Sequence, residues 1–232
     1  IHVRNGRNPI EHSRFNESFV IQATTSPLYM LFASNEIGAA MMEGSSGYSL
    51  TQDVIREAVD FRQALARAHR EFTQKGDWFF QPWNSPEIRD AKTGKWVAFA
   101  DADPEQLASD PKCWLLEPGA AWHGFEGLDN NWCLLDPIKA GIMVPGMGLD
   151  GQMEAVGIPA AVLSAFLYRN NIIPSRTTDF MVLCLFSIGI TKGKWGTLIN
   201  VLLAFKRHYD KNTPLEQVLP CLLYTSDANA GR

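Results

Sequence analysis

The chain has 232 residues, 46% of them hydrophobic and 20% charged, a balance that supports one large folded domain or two smaller ones. Its 21 basic and 25 acidic residues are interspersed and give a net charge of −4, which argues against a nucleic-acid footprint or a polybasic membrane patch. No run reaches the ~18 apolar residues of a membrane helix, because Lys192 and Lys194 interrupt the most hydrophobic region, so a soluble protein is expected.

In chain order, "SRFNESFVIQATTSP" from Ser13 predicts a short strand, with Phe19, Ile21 and Ala23 on one side. Ser26 can cap a following helix and Pro27 can occupy its first turn; "LYMLFASNEIGAAMME" then predicts a mostly buried helix ending at Gly44. "SLTQ", Ser49 to Gln52, has the spacing of a capping box. Leu50, Val54, Phe61, Leu65, Ala68 and Phe72 behind it share one face of a long amphipathic helix. From Gly76 the pattern breaks into short Trp- and Pro-rich pieces, "DWFFQPW", "KWVAFAD", "CWLLEP", "AWHGF" and "NWCLLDPIKAGIMVPG", which predict strands between turns and a domain boundary near residue 76. "IPAAVLSAFLYRNN" predicts a helix, "DFMVLCLFSIG" a buried strand, and "KWGTLINVLLAFKRHYD" a helix with a basic last turn. Helices and strands in this succession indicate an α/β domain. The closing "CLLYTSDANAGR" has no periodicity or cap and reads as a non-native tail.

Few motifs carry chemistry by themselves. Cys113, Cys133, Cys184 and Cys221 lack C-x-x-C spacing, and three lie in apolar surroundings. Reduced thiols of a cytoplasmic protein are expected, with no disulfide and no metal site. Thr24, Thr25 and Ser26 at a helix start can be caps or, through their hydroxyls and the free amides there, a phosphate cradle. His123 in "AWHGF" is either a packed ring or a functional imidazole. Asp136 and Lys139 in "LDPIK" read as a turn or a solvated ion pair. Arg176 and Asp179 stand in front of a buried strand, where they either neutralise each other or rim a pocket.

Several long blocks are more specific: "FNESFVIQATTSPLYMLFASNEIGAAMMEG", "WHGFEG", "LDPIKAGIMVPGM", "GIPAAVLSAFL" and "LFSIGITKGKWGTLINVLLAFKRHYDKNTPLEQVLP". Together, over residues 1–220, they resemble the bacterial pyridoxal-phosphate-dependent decarboxylases of lysine, ornithine and arginine. "SLTQDVIREAVDFRQA", "DNNWCLLDPIK" and "PSRTTDF" resemble the acid-inducible arginine branch of that family.

The resemblance implies a fold type I architecture like that of aspartate aminotransferase, with residues 1–75 ending the large cofactor domain and 76–220 forming an α/β small domain. Residues 221–232 are set aside as the tail. It implies pyridoxal 5'-phosphate as cofactor, held through its phosphate by Thr24, Thr25 and Ser26 across a homodimer whose subunits share active sites, within a larger ring-like oligomer. The lysine that bonds the cofactor is expected in a Ser-x-His-Lys motif upstream of Ile1, so no catalytic residue is assigned here and the 232 residues alone are expected to be inactive. Lysine and ornithine members carry Glu-Lys where this sequence has Ser175 and Arg176. Loss of that glutamate, with Asp179 available to accept two guanidinium N–H groups, implies L-arginine as substrate, decarboxylated to agmatine with consumption of a cytoplasmic proton. The alternatives are a lysine or ornithine decarboxylase, or a non-catalytic relative serving in binding or assembly.

Overall fold

The computed structural model describes residues 9–23, 26, 28–129, 132–154 and 157–220; Thr24, Thr25, Pro27 and the tail 221–232 lie outside them. The chain divides into two compact units, Ile1–Tyr48 and Ser49–Arg232. The long helix that begins in the first unit contributes its apolar face to the core of the second.

In the first unit, helix α1 (His12–Gln22) replaces the strand expected from residue 13. A strand needs a neighbour for its N–H and C=O groups, and no described strand pairs with this segment, whereas a helix pairs them internally. Helix α2 (Tyr29–Met41) confirms the expected helix but not its burial or its cap. None of its residues is buried, and the cap position is Leu28, with no side-chain cap, so Ser26 stands two residues too early for that role. Helix α3 (Gly44–Thr73) starts five residues before Ser49. Ser49–Gln52 therefore lies inside the helix rather than forming a capping box. Gly44 has φ +59°, and a Cβ on Gly47 would run into the Met42 carbonyl, so glycine permits the tight corner from which α3 departs.

The second unit is organised by the rest of α3, whose Val54, Phe61 and Leu65 are buried while Ala68 and Phe72 pack against the same core. They meet a four-stranded antiparallel sheet made of β1 (Gln81–Pro82), β4 (Lys139–Met143), β6 (Met181–Leu185) and β5 (Arg176–Thr177), in that spatial order. Helices α5 (Ala160–Arg169) and α6 (Lys192–Asp210) complete the core with Leu163, Phe166, Leu167, Leu198, Leu202 and Phe205. A satellite core of Val59, Ile88, Phe99, Leu107 and Trp114 lies under the hairpin β2 (Glu87–Arg89) and β3 (Trp96–Ala98) and the short helix α4 (Pro104–Ser109). Asp103 caps α4 by accepting the Glu105 N–H, and Pro104 fills its first turn. A last short helix, α7 (Leu215–Val218), follows α6.

Four of the expected strands are shorter or absent, and "DWFFQPW" keeps only the two residues of β1. "KWVAFAD" is a strand for three residues before a 3-10 turn at Phe99–Asp101. "CWLLEP" begins as a 3-10 turn, Pro111–Trp114, and keeps only the single bridge Leu115 to Leu134. "AWHGF" is a turn. Proline and glycine flank each piece and cut the ladder before it can propagate. Among the described residues, no helix is long and apolar enough to cross a membrane, and Cys113, Cys133 and Cys184 are unpaired.

Candidate functional site

The hairpin that joins β5 to β6 places the residues singled out in "PSRTTDF". Arg176 and Thr177 pair with Leu183 and Val182, and the Ser175 N–H donates to the Leu183 carbonyl at 2.7 Å. The turn is fastened twice at Thr178: its N–H donates to the Met181 carbonyl at 2.9 Å, while its hydroxyl accepts the Met181 N–H at 3.1 Å. The Thr177 hydroxyl donates to Ser164 on α5 at 3.0 Å, and the Asp179 carbonyl accepts the Ala160 N–H at 3.0 Å. One end of the hairpin is thus fixed against the start of α5.

Asp179 sits at that fixed end and lines a cleft of about 360 Å³, opposite Trp83, Trp122, His123 and Asp150. Ser175 and Arg176 lie at the other end of the hairpin, exposed and outside the cleft lining. No ion pair joins Arg176 to Asp179 among the described residues, so the neutralising pair that the sequence allowed does not form.

The aromatic wall has its own support. Trp83 and Trp122 meet edge to face at 5.4 Å, and Trp122 is buried. Behind Trp83, the fully buried Arg62 donates to the carbonyls of Trp83 (3.1 Å), Pro137 (3.2 Å), Asp136 (3.4 Å) and Lys139 (2.8 Å), and to Asn84 Oδ1 (3.4 Å). Burial pulls its pKa down to about 10, Asp136 acting in the opposite direction, so the guanidinium stays charged at neutral pH. It ties the end of β1 to the loop that enters β4. Asp136 and Lys139 in that loop do form an ion pair, at 3.3 Å.

His123 is half-buried between Trp122 and Phe125, whose ring stacks on it at 5.2 Å. Its Nδ1 accepts the Phe125 N–H at 3.0 Å, which puts the proton of the neutral ring on Nε2. Nε2 is buried and meets no hydrogen-bond partner among the described residues. Desolvation holds the imidazole below its usual pKa, opposed by the nearby Glu117 carbonyl, so the ring is neutral at pH 7. Of the phosphate-cradle candidates only Ser26 is described, and it is exposed; the first turn of α2 behind it holds no acidic side chain.

The model of the Orn/Lys/Arg decarboxylase major domain matches residues 1–194. The chain belongs to this family. It is 56% identical over 223 residues to the biodegradative arginine decarboxylase of Escherichia coli (strain K12), covering 96% of this chain and 30% of that protein. It is 32% identical to the constitutive ornithine decarboxylase of the same organism, over 94% of this chain and 29% of the relative. The solved structure of lysine decarboxylase A from Pseudomonas aeruginosa superposes with a TM-score of 0.75 at 41% identity, covering 93% of this chain and 27% of that one. The chain described here therefore spans about 30% of the length of the relatives it matches. These matches agree with the expected fold type I, α/β class.

Asp179 and His123, both notable in the sequence, line the cleft, whereas Trp83, Trp122 and Asp150 line it and Arg62 supports it without any motif that marks them. The Trp-rich pieces were visible as a pattern. Which of them converge depends on the β1–β4–β6 pairing, and no local spacing announces that.

Proposed function

We propose that the complete protein is a cytoplasmic decarboxylase of L-arginine that uses pyridoxal 5'-phosphate and yields agmatine and CO₂ with net uptake of a proton. The observation that carries the choice of substrate is the order of identities, 56% to an arginine decarboxylase against 41% and 32% to lysine and ornithine decarboxylases. When bound, the cofactor supplies the electron sink that accepts the bond pair released as CO₂ departs.

The chain's own residues fit a share of the remaining work. In this reading Thr24, Thr25 and Ser26 would grip the cofactor phosphate. The start of α2 suits an anion, because no carboxylate stands in its first turn. Asp179 would accept the guanidinium of the substrate from the cleft. Ser175 would leave room where other members place a glutamate, and Arg176 would flank it. Residues 1–75 would close the cofactor domain and 76–220 form the small domain of a homodimer with shared active sites, assembled into a larger ring.

Steady-state kinetics of the full-length protein with cofactor test this reading. We expect kcat/KM for arginine to exceed that for lysine and ornithine by at least tenfold. Equal or greater turnover of lysine would refute the arginine assignment, and absence of any decarboxylation with cofactor bound would refute the enzyme itself.

A further inference from the structure

The cleft beside the β5–β6 turn has a chemical character beyond the single aspartate that led to it. Two carboxylates, Asp179 and Asp150, face it together with the indoles of Trp83 and Trp122 and the thioethers of Met143 and Met181, and among the described residues no lysine or arginine lines it. Neither carboxylate is in an ion pair among the described residues. His123 adds no positive charge, because its ring is neutral and its Nδ1 already accepts the Phe125 N–H. A cleft of this kind attracts cations, and its walls favour one with a flat, weakly hydrated face.

We propose that this cleft is a binding site for a guanidinium-bearing cation, with Asp179 and Asp150 accepting its N–H groups and Trp83 and Trp122 supplying aromatic surface. A guanidinium donates two parallel N–H bonds to a carboxylate and stacks on an indole, whereas an alkylammonium is a compact, strongly hydrated charge that gains less from the rings. The volume of about 360 Å³ admits an arginine-sized ligand. Asp150 is new to the site. It is exposed in the turn that follows Met147, and its Oδ1 accepts the Gln152 N–H at 3.1 Å, which leaves Oδ2 available to a ligand. The choice of guanidinium over other organic cations rests on the arginine reading above. The ligand could be the far end of the substrate in turnover or a second guanidinium molecule bound beside it.

The test uses the full-length holoenzyme and agmatine, with cadaverine as a diamine lacking the planar group, titrated by calorimetry into the parent, Asp150→Asn and Trp83→Leu. Loss of a charged acceptor or of an aromatic face should weaken agmatine binding about 5- to 30-fold in each variant and cadaverine binding less than threefold. Asp150→Asn is nearly isosteric, exposed and able to keep the Gln152 contact, so it decides the matter should Trp83→Leu fail to fold. Competitive inhibition of arginine turnover by agmatine identifies the ligand as the substrate's own end, and non-competitive inhibition a second molecule; the proposal stands in either case. Agmatine affinity unchanged in Asp150→Asn, or lost equally with cadaverine affinity, overturns it. A parent enzyme that prefers lysine would sink the arginine reading on its own, while the calorimetric comparison would still report on the cleft.

Discussion

At the scale of single residues, the second unit contains one buried ammonium whose surroundings can be read atom by atom. Lys206, 2% exposed, donates to Asp77 and Asp210 at 2.9 Å and lies 5.1 Å and 4.8 Å from the ring centroids of Phe72 and Trp78. Burial alone would lower its pKa, but the bonds to Asp77 and Asp210 prevail and raise it. The bond from Lys206 in turn holds the Asp77 carboxyl below its ordinary range. The depressed carboxyl stabilises the fold above its unfolded value near 3.9, and that contribution fades as pH falls through the lower folded value. The raised ammonium contributes below about 10.4, and its share fades as pH rises through the higher folded value. Lys206→Met should therefore destabilise by about 1–3 kcal/mol between pH 5 and 9, less than for a wholly buried pair because both carboxylates are half-exposed and can rehydrate. Urea unfolding across pH checks this: the gap between parent and variant should narrow below pH 4 and again above pH 11. A gap independent of pH would mean that Lys206 acts through packing alone.

Asp179 gives a second test at this scale, on function rather than folding. Its side chain makes no ion pair among the described residues, so the charge is available for a ligand. In the full-length enzyme, Asp179→Asn keeps the shape and one acceptor while removing the charge. It should lower kcat/KM for arginine about 10- to 100-fold and leave cofactor content unchanged. Ser175→Glu should raise the lysine-to-arginine ratio of kcat/KM, since it adds a carboxylate and bulk at the opposite end of the hairpin. A variant pair with parental kinetics would reduce the segment to a strand entrance. Asp179 stands out in the sequence because a charge directly ahead of an apolar strand is unusual, although only Val182 and Cys184 of that strand are buried. Asp150 does not, because an aspartate in a Gly-rich turn is ordinary turn chemistry.

At the scale of elements, legibility followed periodicity. The apolar stripe of α3, from Val54 to Phe72, was readable because 3.6-residue spacing persists for many turns. Its start was not: Ser49 offers the side chains of a cap, but Gly44 and Gly47 let the chain turn a corner and begin the helix earlier. The segment before it departs from the expected strand for a different reason. Alternation over Phe19, Ile21 and Ala23 suits a strand, yet with no partner strand among the described residues the helix of α1 is the way to satisfy the backbone. Within the sheet, β4 shows how one small residue shapes the cleft. A Cβ on Gly141 would lie 2.6 Å from Met181 Sδ and 3.1 Å from Trp83 Cβ, and both of these side chains line the cleft. Gly141→Ala should therefore cost about 1–3 kcal/mol of stability through overpacking, and the displaced Trp83 should weaken agmatine binding as well. Thermal unfolding together with agmatine titration of the full-length variant checks both effects. Unchanged values would show that the thioether of Met181 yields freely.

At the scale of the whole molecule, the two units contrast in how they treat apolar side chains. Ser49–Arg232 buries its aromatic and branched residues in one main core and a satellite, so the sequence expectation of a packed α/β body holds there. In Ile1–Tyr48, α2 is expected from sequence to be buried, and its composition justifies that expectation. Nevertheless Tyr29, Met30, Leu31, Phe32 and Ile37 are between 56% and 78% exposed. A helix this rich in apolar residues, broken only by Ser34, Asn35 and Glu36, belongs in contact with other protein, and exposed patches of this kind drive association. We predict that the 232-residue chain by itself binds a hydrophobic dye such as ANS strongly and self-associates in sedimentation at micromolar concentration. Replacing Met30 and Phe32 by glutamate should suppress both effects without changing the thermal transition of the second unit, because neither residue belongs to its core. The same two substitutions in the full-length enzyme should have the opposite consequence: if α2 is covered there, buried glutamates lower soluble yield and stability by several kcal/mol. Dye binding that persists in the double variant would move the exposed surface elsewhere, and full-length protein indifferent to the substitutions would show that α2 faces water in the complete molecule too.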